Sequence, residues 1–387
     1  MPIAEDFKII TYSLHLIRTL HFKTFFNFMK YILSVLLFLS CSLNAQQSRL
    51  SDDTDLSQID LFNVSMKEGV SCYRIPALVV TNNGNLIAAI DERVNSCADL
   101  KTNQNINIVI RTSTDHGKTW SAIRTLVDYP EGQSASDPSF IKDSKTGTLF
   151  MFYNYMDLNK EKDIFYLHVV KSKDNGLTWS EPEDITSQIS RPEWRGDFKF
   201  ITSGKGTQTS SGQLLHTLVN LKYGVFVFGS NDHGKTWFVR ETPLQPADES
   251  KIIELKDGSW MVNSRVNSSG MRYVHISKDE GKSWVSRAEP QLIDPACNAS
   301  IIRYRYKKIN CLLFVNANHQ DARKNLTVKV SYDEGRTWTK GKTIYQGPAA
   351  YSDLVMMKNG DLGLIFEKDE YRENVFLSFP FRWLLNQ

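Results

Sequence analysis

Ser113-Thr-Asp115-His-Gly117-Lys-Thr119-Trp120 is the first of five copies of one pattern, S-x-D-x-G-x-[ST]-W, and this pattern decides the fold. The other four copies begin at Ser172, Ser230, Ser277 and Ser331, at intervals of 47 to 59 residues. A sequence that resembles itself at about this period is typical of propellers and solenoids. These five octapeptides are called the repeats below.

The repeats have the composition of tight hairpin turns between strands. Their Asp can accept hydrogen bonds from amides of its own turn, their Gly can adopt positive φ, and their Trp can anchor the turn by packing. Short apolar runs alternate with Asn-Gly and Asp-Gly turns after residue 60, where no long helical period occurs. We therefore predict an all-β fold. At about 45–55 residues per four-stranded blade, residues 61–387 predict a six-bladed β-propeller with five repeat turns.

The composition is that of an ordinary globular protein. Of 387 residues, 41% are hydrophobic and 23% are charged, and 46 basic against 43 acidic residues give a net charge of +3. No basic run is present, so we expect no nucleic-acid partner. An acidic substrate would therefore be bound by local arginines. Because the repeats extend over most of the chain, we predict one large domain at 61–387.

The first 60 residues differ from the rest. A short apolar run at 31–45 follows Met29-Lys30 and ends in a small residue, which is typical of a secretory signal peptide. We predict that residues 1–45 are an N-terminal extension and signal peptide with translation starting at Met29, and that the polar residues 46–60 are a linker. The run is too short to span a membrane well, so we expect no membrane span and an exported protein, periplasmic or extracellular. Lipid attachment at Cys41 is the alternative, which the poor lipidation signal Phe-Leu-Ser disfavours.

Four cysteines follow this segment: Cys72, Cys97, Cys297 and Cys311. Their spacings match no metal-binding pattern, so we expect no metal site. An exported protein could pair these cysteines as disulfides. Free buried thiols are the interpretation that we prefer.

The repeats resemble the Asp boxes, or BNR repeats, of the sialidase (neuraminidase) superfamily, and the resemblance covers about residues 66–387. In that family the Asp boxes lie on outer blade turns, away from the active site, and they also occur in propellers that are not enzymes. They therefore indicate a fold and leave the function open. The function depends on whether the catalytic set of the family is also present.

Three arginines resemble the triad that binds the substrate carboxylate in sialidases. Tyr73-Arg74-Ile75-Pro76 resembles the family motif [FY]-R-I-P, whose arginine is the first of the three. Arg265 and Arg323 are at the places of the second and third. The guanidinium group suits this task because it is planar, always charged and able to bind both oxygens of a carboxylate.

Tyr351 in Tyr351-Ser-Asp-Leu resembles the nucleophile of the family, and Glu249 resembles the glutamate that pairs with it. The anomeric carbon of sialic acid carries a carboxylate, which would repel an anionic Asp or Glu nucleophile. A neutral phenol that loses its proton to a neighbouring glutamate avoids this repulsion. Sialidases are for this reason an exception to the two-carboxylate scheme of glycosidases.

Four further residues complete the resemblance. Asp99 occupies the place of the loop aspartate that acts as general acid and then as general base, and Arg93 is the arginine that precedes this loop. Asp137 resembles an aspartate that lines the sugar pocket. Glu367 resembles the acid that holds the first arginine of the triad.

Taken together, the chain resembles bacterial exo-α-sialidases of glycoside hydrolase family 33. The resemblance implies a retaining enzyme that releases terminal sialic acid from glycoproteins, glycolipids and oligosaccharides through a covalent tyrosyl intermediate, without a cofactor. Sialylated glycans would be its partners, and we expect a monomer. Two alternatives remain open, namely a trans-sialidase, which includes the intramolecular kind, and a propeller that binds sialic acid without catalysis.

Overall fold

The computed structural model describes residue 56 and residues 58–385, and strands make up most of this part of the chain. The predicted signal peptide, the start at Met29 and the alternative at Cys41 lie outside the described residues. The predicted linker at 46–60 overlaps the first strand, which begins at Gln58 because its backbone pairs with the last strand of the chain. None of the helices in the described residues has the length and apolar character needed to cross a bilayer.

The described residues contain twenty-five strands. In chain order these are β1 Gln58–Asn63, β2 Val70–Val80, β3 Leu86–Val94, β4 Asn105–Ser113, β5 Arg124–Val127, β6 Gln133–Lys142, β7 Leu149–Asp157, β8 Tyr166–Ser172, β9 Glu183–Asp184, β10 Lys199–Ile201, β11 Gly204–Lys205, β12 Thr207–Gln208, β13 Leu214–Asn220, β14 Gly224–Ser230, β15 Phe238–Val239, β16 Ser250–Glu254, β17 Trp260–Ser264, β18 Met271–Ser277, β19 Val285–Ile293, β20 Ser300–Tyr306, β21 Ile309–Ala317, β22 Lys324–Ser331, β23 Lys342–Met356, β24 Asp361–Lys368 and β25 Glu373–Pro380. One short helix, α1 Thr186–Ile189, and 3₁₀ turns at Val64–Met66, Pro192–Trp194 and Phe381–Leu385 complete the secondary structure.

The strands form four hydrogen-bonded sheets in which most neighbours are consecutive and antiparallel. One sheet has the simple order β16-β17-β18-β19, and a second has β10-β13-β14-β15 with β12 beside β13. The third runs β2-β3-β4-β6-β7-β8-β9, with β5 beside β4 and β11 beside β6. The fourth runs β1-β25-β24-β23-β22-β21-β20, so that the first strand of the described residues lies beside the last one.

Apolar residues between adjacent sheets form the core. Leu215 and Val227, for example, are fully buried against Trp260 and Val262 of the sheet that follows in the chain. Strands buried on both faces read as nearly continuous apolar runs, as in β13, in which every residue is buried. The walls of one cavity are built by β2, β6, β16, β20 and β23, which are first strands of successive meanders. The fold is therefore nearly all-β and of the propeller type.

The repeats share one set of hydrogen bonds. The Ser of each repeat is the last residue of a strand, at the ends of β4, β8, β14, β18 and β22. In the third repeat, for example, Ser230 Oγ donates to Asp232 Oδ1 at 2.8 Å and accepts from the amide of Gly234 at 2.8 Å. The same Asp232 Oδ1 accepts from the amide of Thr236 at 2.9 Å. Asp thus closes the turn through hydrogen bonds within the repeat itself.

Candidate active site

Tyr351 and Glu249 form a buried pair although 102 residues separate them in sequence. Tyr351 lies in β23, Glu249 immediately precedes β16, and the Tyr351 hydroxyl donates to Glu249 Oε2 at 2.6 Å. Burial raises the pKa of Tyr351 well above its ordinary value, and the charge of Glu249 adds to this effect, while Arg265 and Arg323 oppose it. The resting phenol is therefore protonated, and its proton points at a carboxylate that can accept it.

Three arginines surround Tyr351. Arg265 Nη1 lies 2.6 Å from Glu249 Oε2 and 3.3 Å from the Tyr351 hydroxyl oxygen. The guanidinium carbons of Arg74 and Arg323 lie 5.8 Å and 5.5 Å from the centre of the Tyr351 ring. The three cations thus converge on the same side chain, in an arrangement that can bind an anion directly beside the phenol.

Glu367, in β24, fixes both the first arginine and the backbone at the tyrosine. Its Oε1 accepts from Arg74 Nε at 2.7 Å and from the amide of Ile75 at 2.9 Å, and its Oε2 accepts from the amide of Tyr351 at 3.1 Å. Ile75 has a φ of 64°, which is unfavourable for a β-branched residue. The hydrogen bond from its amide to Glu367 helps to stabilise this conformation.

Asp99 lies in the loop between β3 and β4 and is joined to the other residues through Arg93. Arg93 Nη1 donates to Asp99 Oδ1 at 2.7 Å and to the carbonyl oxygens of Cys97 and Ala98, while its Nη2 lies 3.1 Å from Asp91 Oδ2. The Arg93 side chain is 1% exposed, whereas that of Asp99 is 80% exposed. A buried arginine therefore holds a carboxylate that solvent and a ligand can reach.

A disulfide between Cys72 and Cys97 ties the start of β2 to the loop that carries Asp99. The preferred expectation of free thiols is therefore wrong for these two residues. The β2–β3 hairpin brings them together, because Cys72 lies opposite Arg93 near the end of β3. The loop that follows β3 then places Cys97 beside Cys72. Free buried thiols are present at the other two positions, Cys297 and Cys311.

Asp137, in β6, faces the same cluster. Its amide donates to Asp91 Oδ1 at 2.9 Å, and its Oδ2 accepts from Asn154 Nδ2 at 3.0 Å. Burial raises the pKa of Asp137 well above its ordinary value, and the charges of Asp91 and Glu249 raise it further. A carboxyl group in this environment favours the protonated form and can donate a hydrogen bond to a ligand. Asp91, which has no place in the predicted set, connects Asp137 to Arg93.

Tyr371 is a further member of the cluster that the sequence did not indicate. Its hydroxyl accepts from Arg323 Nη1 at 3.1 Å, and its ring centre lies 3.9 Å from the guanidinium carbon of Arg74. Asp369, Glu370 and Tyr371 have φ values of 50°, 57° and 71°, three consecutive residues in the left-handed region. Strain of this kind concentrates at functional sites. No sequence motif marks the turn that carries Tyr371. The position of Tyr371 between Arg74 and Arg323 identifies it as a member of the cluster.

Comparison with known sequences identifies relatives for most of the chain. Residues 98–364 match the BNR repeat-like domain family. A sialidase of Micromonospora viridifaciens is 35% identical in an alignment of 339 residues that covers 79% of this chain and 51% of that protein. A sialidase of Bacteroides fragilis is 30% identical and covers 77% of this chain and 60% of its own length. The chain thus spans about half of the first relative and 60% of the second.

Comparison with solved structures gives the same class of protein. The Hadza microbial sialidase Hz136 superposes with a TM-score of 0.76 at 28% identity, covering 82% of this chain and 67% of that chain. The intramolecular trans-sialidase from Ruminococcus gnavus superposes with a TM-score of 0.73 at 18% identity, covering 84% and 98%. At 18% identity, the likeness to the Ruminococcus gnavus protein is one of fold alone.

Proposed function

The chain belongs to the BNR-repeat sialidases of glycoside hydrolase family 33, and from this premise we propose that it is a retaining exo-α-sialidase. Its substrates would be glycoproteins, glycolipids and oligosaccharides that end in sialic acid. The observation that carries the proposal is the 2.6 Å hydrogen bond from Tyr351 to Glu249, with three arginines around it. This arrangement offers a neutral nucleophile beside a binding site for a carboxylate.

Substrate binding follows from the charges of the cluster. Arg74, Arg265 and Arg323 would bind the carboxylate of sialic acid through charge-assisted hydrogen bonds. Glu367 holds Arg74 by its Nε, 2.7 Å away, and leaves the terminal nitrogens of that arginine for the ligand. Asp137, whose raised pKa favours its protonated form, would donate a hydrogen bond to a polar group of the sugar.

The first chemical step would form a sialyl–tyrosine bond. The Tyr351 oxygen attacks the anomeric carbon while its proton passes to Glu249, and the bond between that carbon and the glycosidic oxygen breaks. Asp99, whose exposed carboxylate would take up a proton from solvent before this step, would give that proton to the departing oxygen. Arg265, which contacts both Tyr351 and Glu249, would stabilise the negative charge that moves between them.

The second step would reverse the first with water as the acceptor. Asp99, now a carboxylate, removes a proton from water, whose oxygen attacks the anomeric carbon and displaces Tyr351. Glu249 returns the proton to the phenolate. Two inversions at one carbon give net retention, so the α-anomer of free sialic acid is released first.

The finer architecture is also proposed. The sheet β16–β19 would be one four-stranded blade, and β23, β24, β25 and β1 would form another, in a propeller of six blades. Five of the blades would carry a repeat turn. The signal peptide predicted at 31–45 supports export of the protein.

The test is the Tyr351→Phe variant, assayed by hydrolysis of a fluorogenic aryl α-sialoside and of sialyllactose. We expect kcat to fall at least about 10³-fold, because the nucleophilic oxygen is lost. Tyr332→Phe is the matched control, since Tyr332 is 54% exposed on a repeat turn, and it should retain wild-type kcat. Near-wild-type turnover by Tyr351→Phe would refute the assignment.

The product identifies the reaction. Proton NMR of the wild-type reaction should show the α-anomer of sialic acid before mutarotation. An anhydro sugar or a transferred sialyl group would instead indicate a trans-sialidase. Binding of sialyllactose without release would indicate a protein that binds sialic acid without catalysis.

A further inference from the structure

A cavity of about 700 Å³ lies at the other end of the strands that carry the candidate active site. Arg74 and Asp137 lie toward the starts of β2 and β6, and Glu249 immediately precedes β16. The same three strands reach the cavity with their later residues, including Val80, Lys142 and Glu254. The volume is within the range of small-molecule sites. No residue of the proposed catalytic set lines the cavity.

The charge of the cavity wall is strongly unbalanced. Among the residues that the structure describes, one carboxylate lines it, that of Glu254. Both of its oxygens are occupied by Ser210, whose amide donates at 2.7 Å and whose hydroxyl donates at 3.0 Å. Six cationic side chains line the same wall, namely Lys142, Lys205, Lys251, Lys256, Arg303 and Arg305.

Two carboxylates outside the wall form ion pairs with three of these cations. Lys205 Nζ lies 3.0 Å from Asp353 Oδ1, and Lys256 and Arg303 share the carboxylate of Glu334. Of the described residues, those that accept hydrogen bonds from Lys251 are neutral, namely Ser203 and Asn298, and burial lowers the pKa of Lys251 to about 8. The floor of the cavity therefore has an excess of positive charge.

Two cations at the cavity wall have no partner in the part of the chain that the structure describes. Among the described residues, neither Lys142 nor Arg305 has a hydrogen bond or an ion pair from its side chain. Burial lowers the pKa of Lys142, and the like charge of Lys358 lowers it further. The like charges of Lys142 and Lys358 raise the free energy of the protein, and an anion bound at Lys142 would offset this cost.

We propose that this cavity is a binding site for a small ligand that carries a phosphate or sulfate group. A tetrahedral oxyanion has several oxygens that can accept from lysine and arginine at once. The Thr207 hydroxyl lines the same wall and would donate to the oxyanion, and aliphatic side chains such as Ile253 and Val355 would contact the body of the ligand. The site is separate from the arginines around Tyr351 and would bind independently of catalysis.

The test is calorimetric titration of the full chain with inorganic pyrophosphate at low ionic strength. We expect saturable binding at one site. The double variant K142Q/R305Q should weaken binding at least about tenfold, because two charge-assisted contacts are lost. Its matched control is K118Q/K282Q, which removes the same charge from exposed turns of two repeats and should change the dissociation constant less than about twofold.

The arginines around Tyr351 could also bind an anion, so the titration is repeated with Arg265→Gln. Binding that survives Arg265→Gln but weakens in K142Q/R305Q supports the cavity. Binding lost in Arg265→Gln, equal weakening in the control, or no saturable binding by the wild type would overturn it. Thermal melting verifies that all variants are folded, and none of the readouts depends on sialidase activity. Parallel titrations with glucose 6-phosphate and glucose 6-sulfate identify which oxyanion the site prefers.

Discussion

Tyr371 joins two of the three arginines that surround Tyr351. Its hydroxyl is bonded to Arg323 and its ring packs on Arg74, so it limits the orientations that both guanidinium groups can adopt. Three consecutive left-handed residues place it there, each at a cost of about 1–3 kcal/mol. We interpret Tyr371 as a positioning residue for carboxylate binding, which acts through the arginines.

Tyr371→Phe removes the hydroxyl and keeps the ring, whereas Tyr371→Leu removes both contacts. We expect KM for sialyllactose to rise up to about tenfold in Tyr371→Phe, because one hydrogen bond is lost. In Tyr371→Leu we expect a larger rise, because the contact between the ring and Arg74 is lost as well. The kcat should stay within about twofold, because the arginines bind the carboxylate equally before and during the reaction. Unchanged KM in both variants, or a large loss of kcat with unchanged KM, would contradict a positioning role.

The Cys72–Cys97 disulfide acts on an element, the loop that carries Asp99. Within the described residues, Arg93 is the one side chain that holds Asp99, and the disulfide fixes the loop two residues before it. If the disulfide keeps Asp99 in place for proton donation, the variant C72S/C97S should lose activity only where the leaving group needs a proton. We expect kcat/KM for sialyllactose to fall about tenfold and that for an aryl sialoside with a good leaving group to change less than about threefold.

Cys311→Ser is the control for this variant, because Cys311 is a buried free thiol in another apolar cluster. It should affect both substrates equally. Equal losses on both substrates in C72S/C97S would indicate that the disulfide stabilises the fold without positioning the acid. Hydrogen exchange of residues 95–103 measures the loop directly and should accelerate in C72S/C97S alone.

The repeats also connect neighbouring sheets, which can be tested at Gly234. Gly234 has a φ of 76°, and a Cβ at this position would lie 2.3 Å from the ring of Phe150 in another sheet. Gly258, in a plain hairpin turn, has a φ of 83° with nothing within 4 Å of such a Cβ. Gly258→Ala should cost about 1 kcal/mol of unfolding free energy from the backbone alone. Gly234→Ala should cost at least about 3 kcal/mol, because overpacking is added.

Urea unfolding followed by fluorescence measures both variants under the same conditions. Equal losses of stability would mean that the contact between the repeat and Phe150 contributes nothing beyond the shape of the turn. A larger loss in Gly234→Ala would identify the repeat as a packing element between sheets.

The sequence predicted the features that depend on contacts between residues close together in the chain, and it did not by itself predict those that depend on contacts between distant residues. The repeats were predictable, because the turn of Ser230 to Trp237 is closed by its own Asp232. The pairing of Tyr351 with Glu249 depends on contacts across 102 residues, and only the resemblance to a family indicated it. Tyr371 and the pairing of Cys72 with Cys97 were missed, because each depends on where a loop returns in space.

At the scale of the whole molecule, the first and last strands of the described residues lie side by side in one sheet. β1 pairs with β25, and its Leu61 and Phe62 are fully buried. The repeats follow one another through the sheets, each with one carboxylate that accepts hydrogen bonds from its own turn. The stability of the whole fold is therefore coupled to the protonation of five equivalent groups.

The lowered pKa values of those five carboxyl groups predict that the protein loses stability in acid. Hydrogen bonds from the following Thr or Ser lower the pKa of Asp174 and Asp279 to about 2, and the pKa of Asp115 is lowered in the same way. At Asp232 and Asp333 slight burial opposes this effect, yet the hydrogen bonds still lower the pKa to about 2. In the unfolded chain the pKa of each would be about 3.9. Their stabilisation is therefore complete above about pH 4 and is lost as the pH falls toward 2.

The measurement is the urea midpoint of unfolding between pH 5 and pH 2. The wild-type midpoint should fall steeply below pH 4. Asp279→Asn should be less stable than the wild type at pH 5 and should have a shallower slope, because one of the five groups no longer titrates. Asp128→Asn, which replaces an exposed aspartate outside the repeats, should reproduce the wild-type slope. A slope unchanged by Asp279→Asn would show that other carboxyls, and not the repeats, determine the acid stability of the molecule.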